Sequence, residues 1–198
     1  GIPHISAYAL TVEPKTALDV MIRKGKAAPV DEHRTARQFE MLMNAMKEKG
    51  FLHYEISNFC KPGHFARHNT AYWQGTSYLG LGPSAHSYTG QTRQWNVSGI
   101  GEYLGSVSRN AFPEGSEELT PGQKYDEYVM TGLRTMWGCN AGEISGRFGR
   151  KYSDYFIGNA VSWIEKGYME QNGDQFTLAT SGKLLADGIA SDLFIGED

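Results

Sequence analysis

His4-Ile-Ser-Ala-Tyr-Ala-Leu-Thr-Val12 is an almost unbroken run of apolar and β-favouring residues, the pattern of a strand buried on both faces. Pro14 closes it. The next periodic stretch, residues 31–49, predicts a helix. Asp31 is placed to cap it, and Glu32 suits its positive N-terminus. Phe39, Leu42, Met43 and Met46 then fall on one apolar face. Lys47 and Lys49 suit the C-terminus, and Gly50 ends the helix. His53-Tyr-Glu-Ile-Ser-Asn-Phe59 alternates as a second strand. Strand, helix and strand at this spacing predict a βαβ unit with parallel strands. One such unit does not cover its own faces, so these strands are expected to belong to a larger α/β sheet or barrel. The chain opens Gly1-Ile2-Pro3 without a methionine, and a natural start upstream is expected.

Residues 60–96 change character. Glycines punctuate an aromatic stretch, and four of the six histidines lie between 53 and 86. Short extended pieces are expected at 79–82 and 85–88. Residues 92–96 are expected to pair back across a turn at Thr89-Gly90, and a short helix at 99–108 carries Ile100, Tyr103, Leu104 and Val107 on one face. Residues 110–121, with Pro113, Gly115 and Pro121, read as a turn-rich linker and a domain boundary. Beyond it, helices are expected at 123–137, 141–148 and 153–166, then a hairpin at 168–178 turning on Asn172-Gly173, then a last helix from Thr180. Asn140 with Glu143 resembles a capping box.

Three helices, a hairpin and a helix describe a winged-helix-like module, a shape often used on DNA. Charge argues against that use here. Of the 19 Lys/Arg and 22 Asp/Glu, residues 117–198 hold 7 and 13, so this module is net −6 while DNA binders are basic. No nucleic-acid partner is expected. No run of about 20 apolar residues predicts a membrane span, and no signal peptide is visible. Cys60 and Cys139 match no zinc or cluster spacing and read as reduced cytoplasmic thiols.

Histidine and aromatic side chains in a glycine-rich stretch past the C-terminal end of a strand suit a ligand site. The imidazole of His68 is a good donor to iron, and Tyr72 and Trp73 suit packing against a flat apolar ring. A hydrogen-bonded structural role for His68 and a core role for the aromatics fit the same composition. His64 and His68 are four apart, but the loop-like composition argues against a helix aligning them. No phosphate loop follows a strand, and Ser84 and Ser87 near His86 lack a nucleophile elbow.

The run from His4 to Pro14, Tyr54-Glu-Ile-Ser-Asn-Phe59, His68-Asn-Thr-Ala-Tyr-Trp73 and Leu79-Gly-Leu-Gly-Pro-Ser-Ala-His86 together resemble the radical-SAM proteins of the HemW/HemN group. The His-Asn-x-x-Tyr-Trp motif is associated with HemW proteins rather than with the coproporphyrinogen III dehydrogenases (HemN). The resemblance covers essentially the whole chain. It implies an α/β fold: residues 1–110 as the C-terminal part of a partial (β/α) radical-SAM barrel, and residues 117–198 as a small, mainly helical, winged-helix-like C-terminal domain. It also implies a four-iron, four-sulfur (4Fe-4S) cluster and S-adenosylmethionine in the intact protein. The Cys-x-x-x-Cys-x-x-Cys motif that binds such a cluster is absent from this chain.

By the same resemblance the role is heme binding and delivery of heme to heme enzymes, with respiratory or heme-storage proteins as partners. His68 is then the heme contact and possible iron ligand, accompanied by Asn69, Tyr72 and Trp73. Alignment with HemN brings Thr11 and His86 near positions that contact S-adenosylmethionine there, although His86 replaces an apolar residue. Two alternatives stand beside this reading: oxygen-independent coproporphyrinogen III oxidation by the intact protein, and a purely structural or docking role. The fragment alone is not expected to be an enzyme. A cytoplasmic location, with membrane association through partners, and a homodimer are further expectations.

Overall fold

The computed structural model describes residues 1–111 and 115–196. Contacts divide the chain into two units, Gly1–Phe65 and Ala66–Asp198.

In the first unit, β1 (His4–Ser6) is followed by α1 (Ala17–Arg23), α2 (Glu32–Glu48), β2 (Leu52–Glu55) and β3 (Asn58–Cys60). Helix α2 starts as its sequence requires, with the Asp31 carboxylate accepting from the Arg34 backbone N–H at 3.0 Å. Met43 is the buried centre of its apolar face. Helix α1, capped by the Thr16 hydroxyl, was not anticipated.

The expected pair of parallel strands is replaced by an antiparallel sheet in the order β1-β3-β2. The stretch 53–59 is not one strand but a tight hairpin, turning at Ile56-Ser57. The cause is local. The Glu55 carboxylate accepts from the Ser57 N–H at 3.0 Å and from the Asn58 amide at 2.5 Å, and these bonds favour a turn over continued extension. Strand β3 is only three residues long, so the ladder from β1 ends at Ser6, with one further bond from the Ala7 N–H to the Ser57 carbonyl at 2.8 Å, and Tyr8 and Leu10 beyond it are exposed.

The second unit begins with α3 (Arg67–Trp73). A three-stranded antiparallel sheet follows, ordered β4 (His86–Tyr88), β5 (Thr92–Trp95) and β6 (Gly115–Glu118), with α4 (Ile100–Ser108) between the last two. The expected β4–β5 hairpin is present, pairing His86 with Trp95 and Tyr88 with Arg93. Within the stretch expected to be a linker, residues 110–121, Gly115–Glu118 pairs along the whole of β5. Pro113 lies outside the described residues.

The rest of the unit is α5 (Pro121–Leu133), β7 (Cys139–Asn140), α6 (Ala141–Phe148), α7 (Arg150–Glu165), the hairpin β8 (Met169–Asn172) and β9 (Gln175–Leu178), a 3₁₀ turn at Thr180–Leu185, and α8 (Ala186–Asp192). Strand β7 pairs with β9, completing the winged-helix arrangement. Thr120 and Gln123 form a reciprocal capping box at the start of α5, with Pro121 in its first turn. The β8–β9 turn residues are Gly173-Asp174, since Asn172 already pairs with Gln175. Only Gly173 has positive φ there, the sign pattern of a type II′ rather than the expected type I′ turn. Tyr125, Val129, Leu133, Ile144, Phe156, Phe176, Ile189 and Leu193 form the fully buried core. No described helix is long and apolar enough to cross a membrane.

Candidate functional site

The stretch expected to be a loop around His68 is helical. Helix α3 runs for seven residues and ends at Gly75, whose φ of 66° closes the last turn. Helical geometry gives the spacing of His68-Asn-x-x-Tyr-Trp73 a meaning. His68 and Tyr72 are four apart and share one row, and Asn69 and Trp73 share the next. His68 is exposed, and among the described residues it has no hydrogen-bond or ionic partner. Neither ring nitrogen is committed to a partner, so a nitrogen is available to a metal. Tyr72 is 46% exposed.

Trp73 is held more firmly. Its ring meets Tyr72 edge-on with centroids 5.2 Å apart, and the Arg134 guanidinium lies 5.4 Å from its centroid. Arg134 is itself tied to Asp187 at 2.6 Å. Tyr72 continues to Tyr78 at 5.7 Å, and Tyr78 to Tyr88 at 6.1 Å, so the motif begins a chain of aromatic rings running into the β4–β5 hairpin.

This chain forms one wall of a cavity of about 280 Å³ within the second unit. Tyr72 and Trp73 line it; His68 and Asn69 do not. The opposite wall comes from α5 and α6, which contribute Lys124, Glu127, Tyr128, Glu143 and Arg147, and Trp137 closes the cavity between them. Tyr128 donates to the Glu143 carboxylate at 3.1 Å and accepts from the Asn140 N–H at 3.0 Å. Arg147 pairs with Glu143 at 2.9 Å and lies over the Tyr128 ring. Arg93 of β5 pairs with Glu127 and, at 3.4 Å, with Glu117. Burial pushes the Tyr78, Tyr88 and Tyr128 phenols up, so all three stay neutral donors near neutral pH. Sequence reading missed Arg93, Lys124, Glu127 and Arg147, because residues more than 50 positions apart meet here only through folding.

The segment Leu79-Gly-Leu-Gly82 is a strut beside the hairpin. The Gly80 N–H donates to Ser87 Oγ at 3.0 Å, and the Asn96 amide donates to the Gly80 and Gly82 carbonyls. A side chain at Gly80 would meet the His86 carbonyl oxygen at 2.1 Å, which is why glycine stands there. His86 is exposed on β4 and faces Trp95 at 6.1 Å; Thr11 is exposed in the first unit. Tyr54, in the other resembling segment, is buried, with its hydroxyl 2.9 Å from His4 Nε2. Cys60 and Cys139 are buried in separate units, and no group of three His, Cys, Asp or Glu among the described residues is placed to hold a metal. The donor set of this chain therefore does not fit a 4Fe-4S cluster.

No protein-family model matches the chain. It is 32% identical to the heme chaperone HemW of Bacillus subtilis over 195 residues, covering 98% of this chain and 51% of that protein. It is 34% identical to the heme chaperone HemW of Mycobacterium tuberculosis over 194 residues, covering 98% and 48%. A shorter match, 39% over 83 residues, joins 42% of the chain to 19% of a mitochondrial radical S-adenosyl methionine domain-containing protein of Danio rerio. The chain thus spans about half the length of the curated relatives that it matches end to end. Among solved structures, the coproporphyrinogen III oxidase HemN of Escherichia coli, a radical SAM enzyme, shares the fold with a TM-score of 0.65 at 16% identity, covering 84% of this chain and 42% of that one.

Proposed function

The chain is a HemW/HemN-like radical-SAM C-terminal portion, and from that premise we propose that it takes part in heme binding and transfer, with His68 as the iron ligand. The observation carrying this is the placement of His68: an exposed imidazole with no hydrogen-bond partner, one helical turn before the half-exposed ring of Tyr72. Heme bound there would supply an iron centre, and the His68 imidazole would hold it through a ring nitrogen.

The chain's own residues do the rest. Helix α3 fixes the spacing of imidazole and phenol. Trp73, clamped by Arg134, anchors that helix within its unit, and Asn69 lies on the same row as Trp73. The partners of this role are heme and the heme proteins that receive it. Contact of Thr11 and His86 with S-adenosylmethionine, and cluster chemistry, belong to the intact protein under this proposal. The test is visible absorption during titration of the full chain with iron protoporphyrin IX. Wild type is expected to develop a Soret band that is lost or shifted in His68→Ala. An unchanged band in the variant removes His68 from the role.

A further inference from the structure

The proposed iron ligand does not line the cavity beside it, so the cavity needs its own account. Three basic side chains reach its wall: Arg93, Lys124 and Arg147. Two are already committed, Arg93 to Glu117 and Glu127, and Arg147 to Glu143. Lys124 is different. It is half-buried on α5, and among the described residues its ammonium forms neither an ion pair nor a hydrogen bond. A lysine held at a cavity wall without an acidic partner leaves a positive charge available to a ligand.

The surrounding chemistry suits an anion attached to a flat apolar body. Tyr72, Trp73, Tyr78 and Trp137 offer ring surface, and the neutral Tyr78 phenol, whose hydroxyl is not already donated among the described residues, can donate a hydrogen bond without repelling negative charge. Size sets a limit. At about 280 Å³ the cavity lies just below the ~300–1,000 Å³ range of sites that enclose a drug-sized ligand. It admits the arms and one edge of a large planar molecule, not the whole. Tyr72 belongs to both places, since it lines the cavity and shares the His68 row of α3.

We infer that this cavity is a carboxylate subsite: it receives the propionate-bearing edge of the porphyrin, and Lys124 is its ion-pairing residue. This rests on the heme reading above and assigns the ring's orientation to residues outside the His-Asn-x-x-Tyr-Trp motif.

The test compares iron protoporphyrin IX with its dimethyl ester, whose carboxylates are masked, by tryptophan quenching and visible absorption on the full chain. Wild type is expected to bind the free acid about tenfold more tightly, the scale of one charge-assisted hydrogen bond. Lys124→Ala is expected to lose that preference while keeping the wild-type Soret position and ester affinity, and Lys124→Arg to retain it. His68→Ala is expected to change the Soret band yet keep the preference for the acid. Equal affinity of wild type for acid and ester overturns the carboxylate subsite and leaves the heme reading standing. So does an unchanged preference in a folded Lys124→Ala chain. A wild-type chain that binds neither porphyrin overturns both.

Discussion

At the scale of single residues, the two halves of the His68–Trp73 motif have opposite constraints. His68 is exposed and unpartnered, so its removal costs the fold little, within about 0.5 kcal/mol as for other surface positions. Trp73 is packed by Tyr72 and Arg134 and is part of how α3 is seated. Gly80 is the converse case. Its place is set by the His86 backbone, 2.1 Å from where a Cβ would stand. Gly80→Ala is therefore expected to destabilise the second unit by about 1–3 kcal/mol through overpacking, measured by denaturant unfolding. A midpoint equal to wild type would show that the strut yields without cost.

Among the elements, the helices that carry their own punctuation were legible in the sequence. Asp31 before α2 and Asn140 before α6 are caps whose chemistry acts within one turn, so no tertiary knowledge is needed to place them, whereas Thr120-Pro121, which caps α5, lies in the stretch that reads as linker. Helix α3 has no side-chain cap and sits among glycines, and its helicity emerges only with the packing of Tyr72 and Trp73. Strand β6, Gly115-Ser-Glu-Glu118, has no apolar alternation and is made a strand by pairing with β5. The cavity was half legible: its motif wall could be read from Tyr72 and Trp73, but the basic wall comes from three distant elements.

The β2–β3 hairpin was misread as one strand because its residues alternate correctly while its polar side chains fold back on the turn. Glu55, 2% exposed, accepts from Asn58, which in turn accepts from the Ser6 hydroxyl at 2.6 Å, so one hydrogen-bond network, buried at Glu55 and Asn58, ties all three strands of that sheet. Asn58→Ala is expected to cost about 2–3 kcal/mol, the scale of leaving a charged buried group short of a hydrogen bond. Chemical denaturation followed by circular dichroism measures it, and a loss under 0.5 kcal/mol would mean that the turn holds without the network.

Taken whole, the molecule couples three acid groups of its core to alkaline pH. Burial raises the Tyr125 and Tyr128 phenols above their ordinary value of 10.0 and the Cys139 thiol above 9.0. The fold holds these groups protonated more tightly than the unfolded chain does. Their contribution is complete below the unfolded values and is lost as pH rises through and beyond them. Tyr125 also donates to the Leu193 carbonyl at 2.9 Å, a bond that ionisation removes. Tyrosinate absorbance is accordingly expected to rise together with loss of helical circular dichroism above about pH 10. Ionisation of all the tyrosines while the helices persist would contradict this.

Under the proposed function, α3 carries a heme ligand within a fold shared with a radical SAM enzyme. Titration of wild-type and His68→Ala chains with iron protoporphyrin IX, read by visible absorption, tests it most directly. A Soret band is expected in wild type that is lost or shifted in an equally stable variant, and identical spectra from the two folded chains would contradict the heme role of His68.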